Sequence, residues 1–92
     1  MIRSFRCRHT EQLFHEGRNK KLGGIKKLAM RRLDYLHAAA SLDDLKAPPD
    51  FGLHELKHDR AGQWAITVQA GWRLCFDWVD GNAENVEIED YH

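Results

Sequence analysis

Hydrophobic and polar residues repeat with two different periods along this chain, and the period changes near Pro48-Pro49. In the first half, apolar residues recur close to every 3.6 positions, at Ile25, Leu28, Ala29, Leu33, Leu36 and Ala40. This spacing predicts an amphipathic helix that packs its apolar side on a core. From Phe51 onward, apolar and polar residues alternate, which predicts strands with one buried face.

Three strands joined by two tight turns are predicted in the second half. The first strand runs from Gln63 to Gln69, Ala70-Gly71 turns the chain into the second, and Asp80-Gly81-Asn82 marks the turn before the third. The apolar row of each strand, in chain order, is Trp64, Ile66 and Val68; Trp72, Leu74, Phe76 and Trp78; Val86 and Ile88. Three consecutive strands of this kind predict an antiparallel meander.

Shorter elements are predicted before the meander. Met1 to Phe5 is a candidate opening strand, and a short helix is expected to begin at a Thr10 cap and to end at Gly17. Ser41 and Asp44 have the spacing of a capping box, and Pro48-Pro49 stops the helical turn that follows. The whole chain, residues 1–92, is therefore predicted to be a single α+β domain. Two to three N-terminal helices pack on one face of a mostly antiparallel sheet.

Length and composition limit the class of protein. Ninety-two residues suit one small core. No apolar run approaches the roughly 18 residues of a membrane span, and no signal peptide opens the chain. Cys7 and Cys75 form neither a disulfide framework nor a metal knuckle, although their redox state stays open. We expect a cytoplasmic protein with no membrane partner and no cofactor.

A net charge of zero conceals two halves of opposite sign. Residues 1–47 carry eleven Lys/Arg and five Asp/Glu, a net of +6, whereas residues 48–92 carry three and nine, a net of −6. The basic half suits an anionic partner such as nucleic acid, or is simply a solvated surface that attracts the acidic half. The acidic half makes its three cations conspicuous, namely Lys57, Arg60 and Arg73.

The faces opposite the apolar rows carry ionisable side chains. Because neighbouring residues of a strand point to opposite faces, Arg73 lies opposite the tryptophan row, and Tyr91 lies opposite Val86 and Ile88. Arg73 and Tyr91 are therefore expected on one polar face of the sheet. The three tryptophans themselves are predicted to be core residues rather than platforms for stacking bases.

One motif suggests a zinc site. His54-Glu55-Leu56-Lys57-His58 matches the H-E-x-x-H pattern, which on a helix places two histidines on one metal with the Glu as general base. Glycines on both sides make a long helix unfavourable, and Lys57 would set a cation beside the metal. A small zinc protein is kept as the weaker alternative.

RNA cleavage by an attacking 2′-OH fits the same region better. This reaction needs a base, an acid and cations for the charge on phosphorus. His54, Tyr91 and His92 are candidate proton-transfer groups, and Lys57 and Arg73 are candidate electrostatic partners. The alternative for Lys57 is an ordinary surface lysine. Two ionisable residues at the end of the chain predict that the C-terminus is tied into the site.

These residues carry a resemblance to a known family. His54-Glu55-Leu56-Lys57, Gly62 to Ile66, Trp72-Arg73-Leu74 and Glu89 to His92, together with the opening Met1 to Phe5, resemble the HigB toxins of the RelE/ParE superfamily. The resemblance implies a ribosome-dependent mRNA endonuclease that cuts the message in the decoding A site. It also implies a helix-turn-helix antitoxin, HigA, which neutralises the toxin and through which alone the operon's operator DNA is bound.

The resemblance assigns roles to particular residues. The catalytic positions it implies are His54, Lys57, Arg73, Tyr91 and His92, with Asp90 as a nearby contributor. Asp90 is predicted to bind substrate, and so is Arg60, as one of the few cations of the acidic half. The resemblance does not divide the acid and base roles among the two histidines and the tyrosine. A separate hypothesis gives the basic side of the predicted main helix to ribosomal RNA, through Lys26, Lys27, Arg31 and Arg32.

Two departures and one alternative accompany the resemblance. Gly71 stands where relatives often have Asn, and His58 where a Gly is common, which leaves codon preference and rate open. The ParE branch of the superfamily shares the fold but inhibits gyrase without catalysis. A pure binding module needs no set of proton-transfer groups, so the nuclease is the preferred hypothesis.

Overall fold

The computed structural model describes residues 1–91, which form a layer of helices on one face of a four-stranded sheet. In chain order the elements are α1 (Arg8–Glu16), a 3₁₀ turn (Gly23–Ile25), α2 (Lys26–Ala38), α3 (Leu42–Lys46), β1 (His54–Glu55), a second 3₁₀ turn (His58–Arg60), β2 (Gln63–Gln69), β3 (Trp72–Val79) and β4 (Asn82–Asp90). The strands lie in the order β1-β2-β3-β4, and each pair is antiparallel. The predicted α+β class is confirmed.

The apolar rows of the strands meet α2 in the main core. Its largest fully buried side chain is Phe76, which packs with residues of α1, α2 and all three long strands. Trp64, Trp72 and Trp78 are partly buried against this core, so their predicted role as core residues is confirmed. No helix in residues 1–91 is both long and apolar enough to span a membrane.

The predicted main helix is confirmed, with one error in its basic side. Ala29, Leu33 and Leu36 are buried as the periodicity predicts, although Ala39 is buried at the helix end in place of Ala40. The prediction that Arg32 lies on the solvated surface is wrong, since the residue is only 9% exposed.

The burial of Arg32 is compensated by contacts of its charged head group. Its Nε donates to the carbonyl of Thr67 at 2.8 Å, and its Nη2 lies 3.3 Å from Oδ2 of Asp50. The guanidinium also stacks 4.4 Å from the ring centroid of Phe51. This arginine ties α2 to β2 and to the loop that leads into β1.

The N-terminal segment differs from its prediction in two ways. Met1 to Phe5 forms no regular strand but makes two isolated parallel bridges to β4, Ile2 with Ala83 and Phe5 with Val86. Thr10 is not a helix cap, because α1 begins earlier with Cys7 at its N-cap position. The buried Thr10 hydroxyl instead accepts a hydrogen bond from the Ile88 backbone N–H at 2.9 Å.

The predicted ends of the other short elements are confirmed. Gly17 terminates α1 in the left-handed conformation, with φ of 72°, which costs glycine little because it has no Cβ. The capping box also forms, since the Asp44 carboxylate accepts from the backbone N–H groups of Ser41 and Ala40 at 3.2 and 2.8 Å. This cap starts α3, which ends before Pro48.

Two bulges interrupt the strand pairing, and the second keeps the buried residues of β4 on the core side. The β2–β3 register shifts between Thr67 and Gln69, and the β3–β4 register shifts between Cys75 and Asp77. The second bulge gives β4 one extra residue, and Asn85 there has a φ of 53°. Its side chain donates to Asp77 at 2.7 Å. Because a one-residue slip reverses the faces of a strand, this bulge lets both Ala83 and Val86 be buried.

Candidate active site

The sheet face away from the helices carries two cross-strand rows that contain most of the predicted site. One row joins His54, Ala65, Cys75 and Glu87, and the next joins Thr67, Arg73 and Glu89. Directly paired residues point to the same side of a sheet. From strand spacing and rise, the Cα atoms of His54 and Arg73 lie roughly 12 Å apart.

One end of this face is covered, which the sequence did not predict. Leu56 packs on Ala65 and Cys75 to form a small second cluster. The 3₁₀ turn that follows brings Arg60 over the same part of the sheet, where its Nε donates to Oε1 of the buried Gln63 at 2.9 Å. Beyond this covered end lie Tyr91, which is 48% exposed, and Arg73, whose side chain is 21% exposed.

Arg60, Glu89 and Arg73 form a cluster of three charges on this face. Arg60 makes a two-point contact with Glu89, from Nη1 to Oε2 at 2.9 Å and from Nη2 to Oε1 at 2.8 Å. Arg73 donates to Oε2 of the same carboxylate from Nε at 2.9 Å and from Nη2 at 2.7 Å. Glu87 lies 3.8 Å from Arg60 and belongs to the edge of the cluster.

Hydrogen bonding and burial shift the protonation equilibria of this cluster. The hydrogen bond from Arg60, supported by that from Arg73, lowers the pKa of Glu89 to about 2. The hydrogen bond to Glu89 raises the pKa of Arg60, which stays protonated at any physiological pH. Burial beneath the cluster raises the pKa of the Cys75 thiol to about 11, so the thiol is neutral and inert at pH 7.

Tyr91 lies against Arg73 as the strand pattern predicts. The Arg73 guanidinium carbon lies 4.9 Å from the centroid of the Tyr91 ring, and the tyrosine is 48% exposed. The Tyr91 backbone N–H donates to the Gly71 carbonyl at 3.0 Å, which ties this part of the chain to the β2–β3 turn. The predicted shared face of Arg73 and Tyr91 is confirmed, whereas His92 lies outside the described residues.

The ring of His54 is oriented by a backbone carbonyl. Its Nδ1 lies 3.0 Å from the carbonyl oxygen of Gly52. Because a carbonyl oxygen only accepts hydrogen bonds, Nδ1 must carry the proton in this contact, and Nε2 of the neutral ring keeps its lone pair. His54 is exposed, so a neutral ring held in this way is suited to accept a proton from a substrate hydroxyl.

The remaining predicted residues lie at the ends of this face or away from it. Lys57 is exposed between β1 and the second 3₁₀ turn. Asp90 is exposed at the end of β4, but its register pairing with Trp72 turns it to the side of the sheet opposite Arg73. On the helix layer, Lys26, Lys27 and Arg31 are exposed along α2 as expected. Arg32 does not join them.

The H-E-x-x-H segment does not form the helix that its zinc chemistry requires. His54 and Glu55 lie in β1, whereas His58 begins the 3₁₀ turn with a φ of 62°. The two histidines are therefore not one helical turn apart on a common face. Within residues 1–91, no group of three or more metal-binding side chains is clustered.

Glu89 is a member of the site that sequence reasoning missed. As an anion it offers nothing to a phosphate, so its residue type alone predicts no functional role. Its significance depends on its pairing with Arg73 in register and with Arg60, 29 residues away in sequence. The alternation of β4 could have indicated the first pairing, but nothing local indicates the second.

Comparison with known proteins extends over the whole of this fold. Residues 3–92 match the model of the HigB-like toxin family, described as RelE-like toxins of the type II toxin–antitoxin system HigB. The chain is 34% identical over 93 residues to a Proteus vulgaris protein named endoribonuclease HigB, with all of both chains covered. It is 30% identical over 93 residues to toxin HigB-1 of Vibrio cholerae, covering 99% of this chain and 98% of that one.

Proposed function

The chain belongs to the HigB-like toxins of type II toxin–antitoxin systems, and on this basis we propose that it is an endoribonuclease that cuts mRNA in the ribosomal A site. The name of the Proteus vulgaris relative supports the ribonuclease activity. The single observation that carries the chemistry is the arrangement of three side chains on the polar sheet face. There Arg73, stacked on Tyr91, lies one cross-strand row from His54.

The proposed reaction is an internal transesterification that needs no metal. The 2′-oxygen attacks the adjacent phosphorus while a base removes its proton, and the bond from phosphorus to the 5′-oxygen breaks as an acid protonates that oxygen. The products are a 2′,3′-cyclic phosphate and a free 5′-hydroxyl. The extra negative charge on the phosphoryl oxygens is stabilised by positioned cations.

The geometry suggests how these roles are divided. Nε2 of His54 is the proposed base, because its Nδ1 is held by Gly52. Arg73 and Lys57 are the proposed partners of the phosphoryl oxygens, since a guanidinium matches phosphate geometry and an exposed ammonium adds a mobile charge. Tyr91 and His92 are the candidates for the acid, and Asp90 is proposed to contact the substrate beside them.

The proposed partners follow from the family and from the charge distribution. A toxin of a type II system is paired with an antitoxin, and we propose a HigA-like helix-turn-helix protein for that role, which also carries the toxin to operator DNA. The toxin is proposed to act in the cytoplasm on the small ribosomal subunit. Lys26, Lys27 and Arg31 would contact its RNA through the exposed side of α2.

Mapping of mRNA 5′ ends after brief induction tests the proposal. Wild type is compared with Arg73→Ala, and Arg18→Ala serves as the control because Arg18 is an exposed arginine whose only ion pair is with Glu16 in residues 1–91. We expect new 5′ ends confined to translated reading frames for wild type and Arg18→Ala. Arg73→Ala should reduce them about 100- to 1,000-fold, as does the loss of one transition-state donor in other enzymes.

The other outcomes are equally informative. Growth arrest without new RNA ends would refute the nuclease and favour a gyrase inhibitor of the ParE kind. Cuts in untranslated as well as translated RNA would retain the nuclease but refute its dependence on the ribosome. Equal cutting by wild type and Arg73→Ala would remove Arg73 from the site.

A further inference from the structure

Arg60 was expected to bind substrate, but its hydrogen-bonding groups are directed into the fold. Nε donates to Gln63, and both terminal nitrogens donate to Glu89. Gln63 is buried at 7% exposure and the side chains of Arg60 and Glu89 are only 29% and 20% exposed. All three nitrogens of the Arg60 guanidinium donate within the fold, so a phosphate could take the group only by displacing Gln63 or Glu89. Exposure does not separate it from Arg73, whose side chain is 21% exposed; the number of engaged nitrogens does.

The same contacts determine which part of Arg73 faces outward. Oε2 of Glu89 accepts both from Nε and from Nη2 of Arg73, so that edge of the guanidinium is turned toward β4. One flat side of the group lies against the ring of Tyr91. Within residues 1–91, Nη1 of Arg73 donates no hydrogen bond, which leaves that end of the group available to an anion.

Glu89 in turn is fixed by Arg60. Its two oxygens accept four hydrogen bonds in all, two from each arginine. If Arg60 were absent, Oε1 would lose its only hydrogen bond among the described residues, and the carboxylate could rotate about its side-chain bonds. Arg73 would then follow the carboxylate, because charge-assisted contacts at 2.7 and 2.9 Å join the two side chains.

We propose that Arg60 and Glu89 are positioning residues. Arg60 fixes the Glu89 carboxylate, and Glu89 orients Nη1 of Arg73 toward the reacting phosphate. This inference rests on the proposed ribonuclease function. Neither residue touches substrate. Each acts on the reaction only through Arg73, and the two act in series.

A double-mutant cycle on cleavage by purified toxin, with programmed ribosomes as substrate, tests this arrangement. The variants are Arg60→Gln, Glu89→Gln and both together. We expect each single change to lower kcat about 10- to 100-fold with little change in KM, because Arg73 keeps its charge but loses its fixed orientation. The double variant should be no slower than Glu89→Gln alone, since residues in series are not additive.

Matched controls and a conservative variant separate positioning from folding. Arg18→Gln and Glu84→Gln make the same chemical changes, the first on the α1 side and the second on β4 itself, and should leave kcat unchanged. Glu89→Asp should regain part of the lost rate because it restores the carboxylate. Thermal unfolding of every variant identifies any that has lost its fold, and only folded variants enter the cycle.

A second measurement does not depend on cleavage. In NMR spectra of the purified chain, the Arg73 Nε–H should exchange slowly with water in wild type, since it is hydrogen-bonded to Glu89. Both Arg60→Gln and Glu89→Gln should make it exchange at least about tenfold faster, a lower bound chosen against the modest net strength of one such bond. If wild type cuts no RNA but shows this pattern, the proposed function fails while the positioning geometry stands.

Three results would overturn the inference. Multiplicative losses in the double variant would mean that Arg60 and Glu89 act independently. A raised KM with an unchanged kcat for Arg60→Gln would make Arg60 a direct substrate ligand, as the sequence first suggested. Unchanged exchange of the Arg73 Nε–H in both single variants would show that Glu89 does not hold Arg73.

Discussion

The two faces of the sheet are built on different physical principles although they share the same strands. The helix-covered face is a continuous apolar layer in which Phe76 and its neighbours exclude water. The other face has only a three-residue apolar cluster, and beside it three charged groups are held by hydrogen bonds with defined directions. Burial of apolar area is non-directional, whereas a charge cluster fixes orientation.

This difference means that the two faces should respond to different perturbations. Loss of volume on the helix-covered face should reduce the free energy of unfolding and affect activity only through folding. Loss of a hydrogen-bonding group on the charged face should reduce activity first.

Phe76→Ala should have the largest effect on stability. The ring is fully buried, and its removal leaves a cavity that typically costs about 3–5 kcal/mol. Denaturant unfolding monitored by tryptophan fluorescence measures the change. Val79→Ala on the same strand is the control, since Val79 is 42% exposed and should lose little. Equal losses for both would contradict the assignment of Phe76 to the centre of the core.

Arg32→Gln should have the next largest effect. The change removes the donor to the Thr67 carbonyl and the stacking on Phe51, and a buried acceptor left unpaired costs about 1–3 kcal/mol. Arg31→Gln, one residue earlier and exposed, should alter the free energy of unfolding by no more than about 0.5 kcal/mol. A larger loss of unfolding free energy for Arg31→Gln than for Arg32→Gln would contradict the burial of Arg32.

As the pH falls, the charged face should lose its contribution to stability before the apolar core does. The folded-state pKa of Glu89 is lowered to about 2, so its contribution to stability is fully present above its ordinary value of 4.5 and is lost as the pH falls toward 2. Urea unfolding at pH 6 and pH 3 should show a larger loss for wild type than for Glu89→Gln, which has no carboxylate there to titrate. Parallel losses would mean that Glu89 does not contribute to stability through its ionisation.

Reversal of charge on the outer side of α2 should leave stability almost unchanged. Lys26→Glu combined with Lys27→Glu should change the free energy of unfolding by no more than about 0.5 kcal/mol per site, since both residues are exposed. The pair should nevertheless weaken ribosome binding and flatten its dependence on salt. Binding and salt dependence equal to those of wild type would remove α2 from the proposed RNA contact.

Most of the fold could be predicted because strand alternation, helix periodicity and helix caps depend on residues that are close together in the sequence. The period-2 rows gave β2 its observed limits, and the αL cap at Gly17 and the Asp44 capping box formed as predicted. The break in β4 also has a local sign that went unused. Ala83, Val86 and Ile88 are all buried but do not keep one alternation, which requires an extra residue between the first two.

The errors concern contacts between residues far apart in the chain. Arg32 was placed on the surface because arginine is usually exposed, and its partners Thr67 and Asp50 belong to other elements. Arg60 was recognised as an unusual cation in an acidic half, but only the fold shows that its charge serves Glu89. The residue types of the candidate site could therefore be proposed from the sequence, whereas the pairing of Arg60 with Glu89 could not.

The N-terminal segment also covers the edge of the sheet at which another chain could pair. Backbone hydrogen bonds from Arg3 and Arg6 to β4, and from β4 to Met1 and Ser4, occupy the outer edge of that strand. Ile88 is satisfied there by the side chain of Thr10. An unpaired strand edge allows neighbouring chains to add strands and so to aggregate, and here residues 1–6 cover that edge. Removal of residues 1–5 would thus expose an unpaired strand edge as well as shorten the chain.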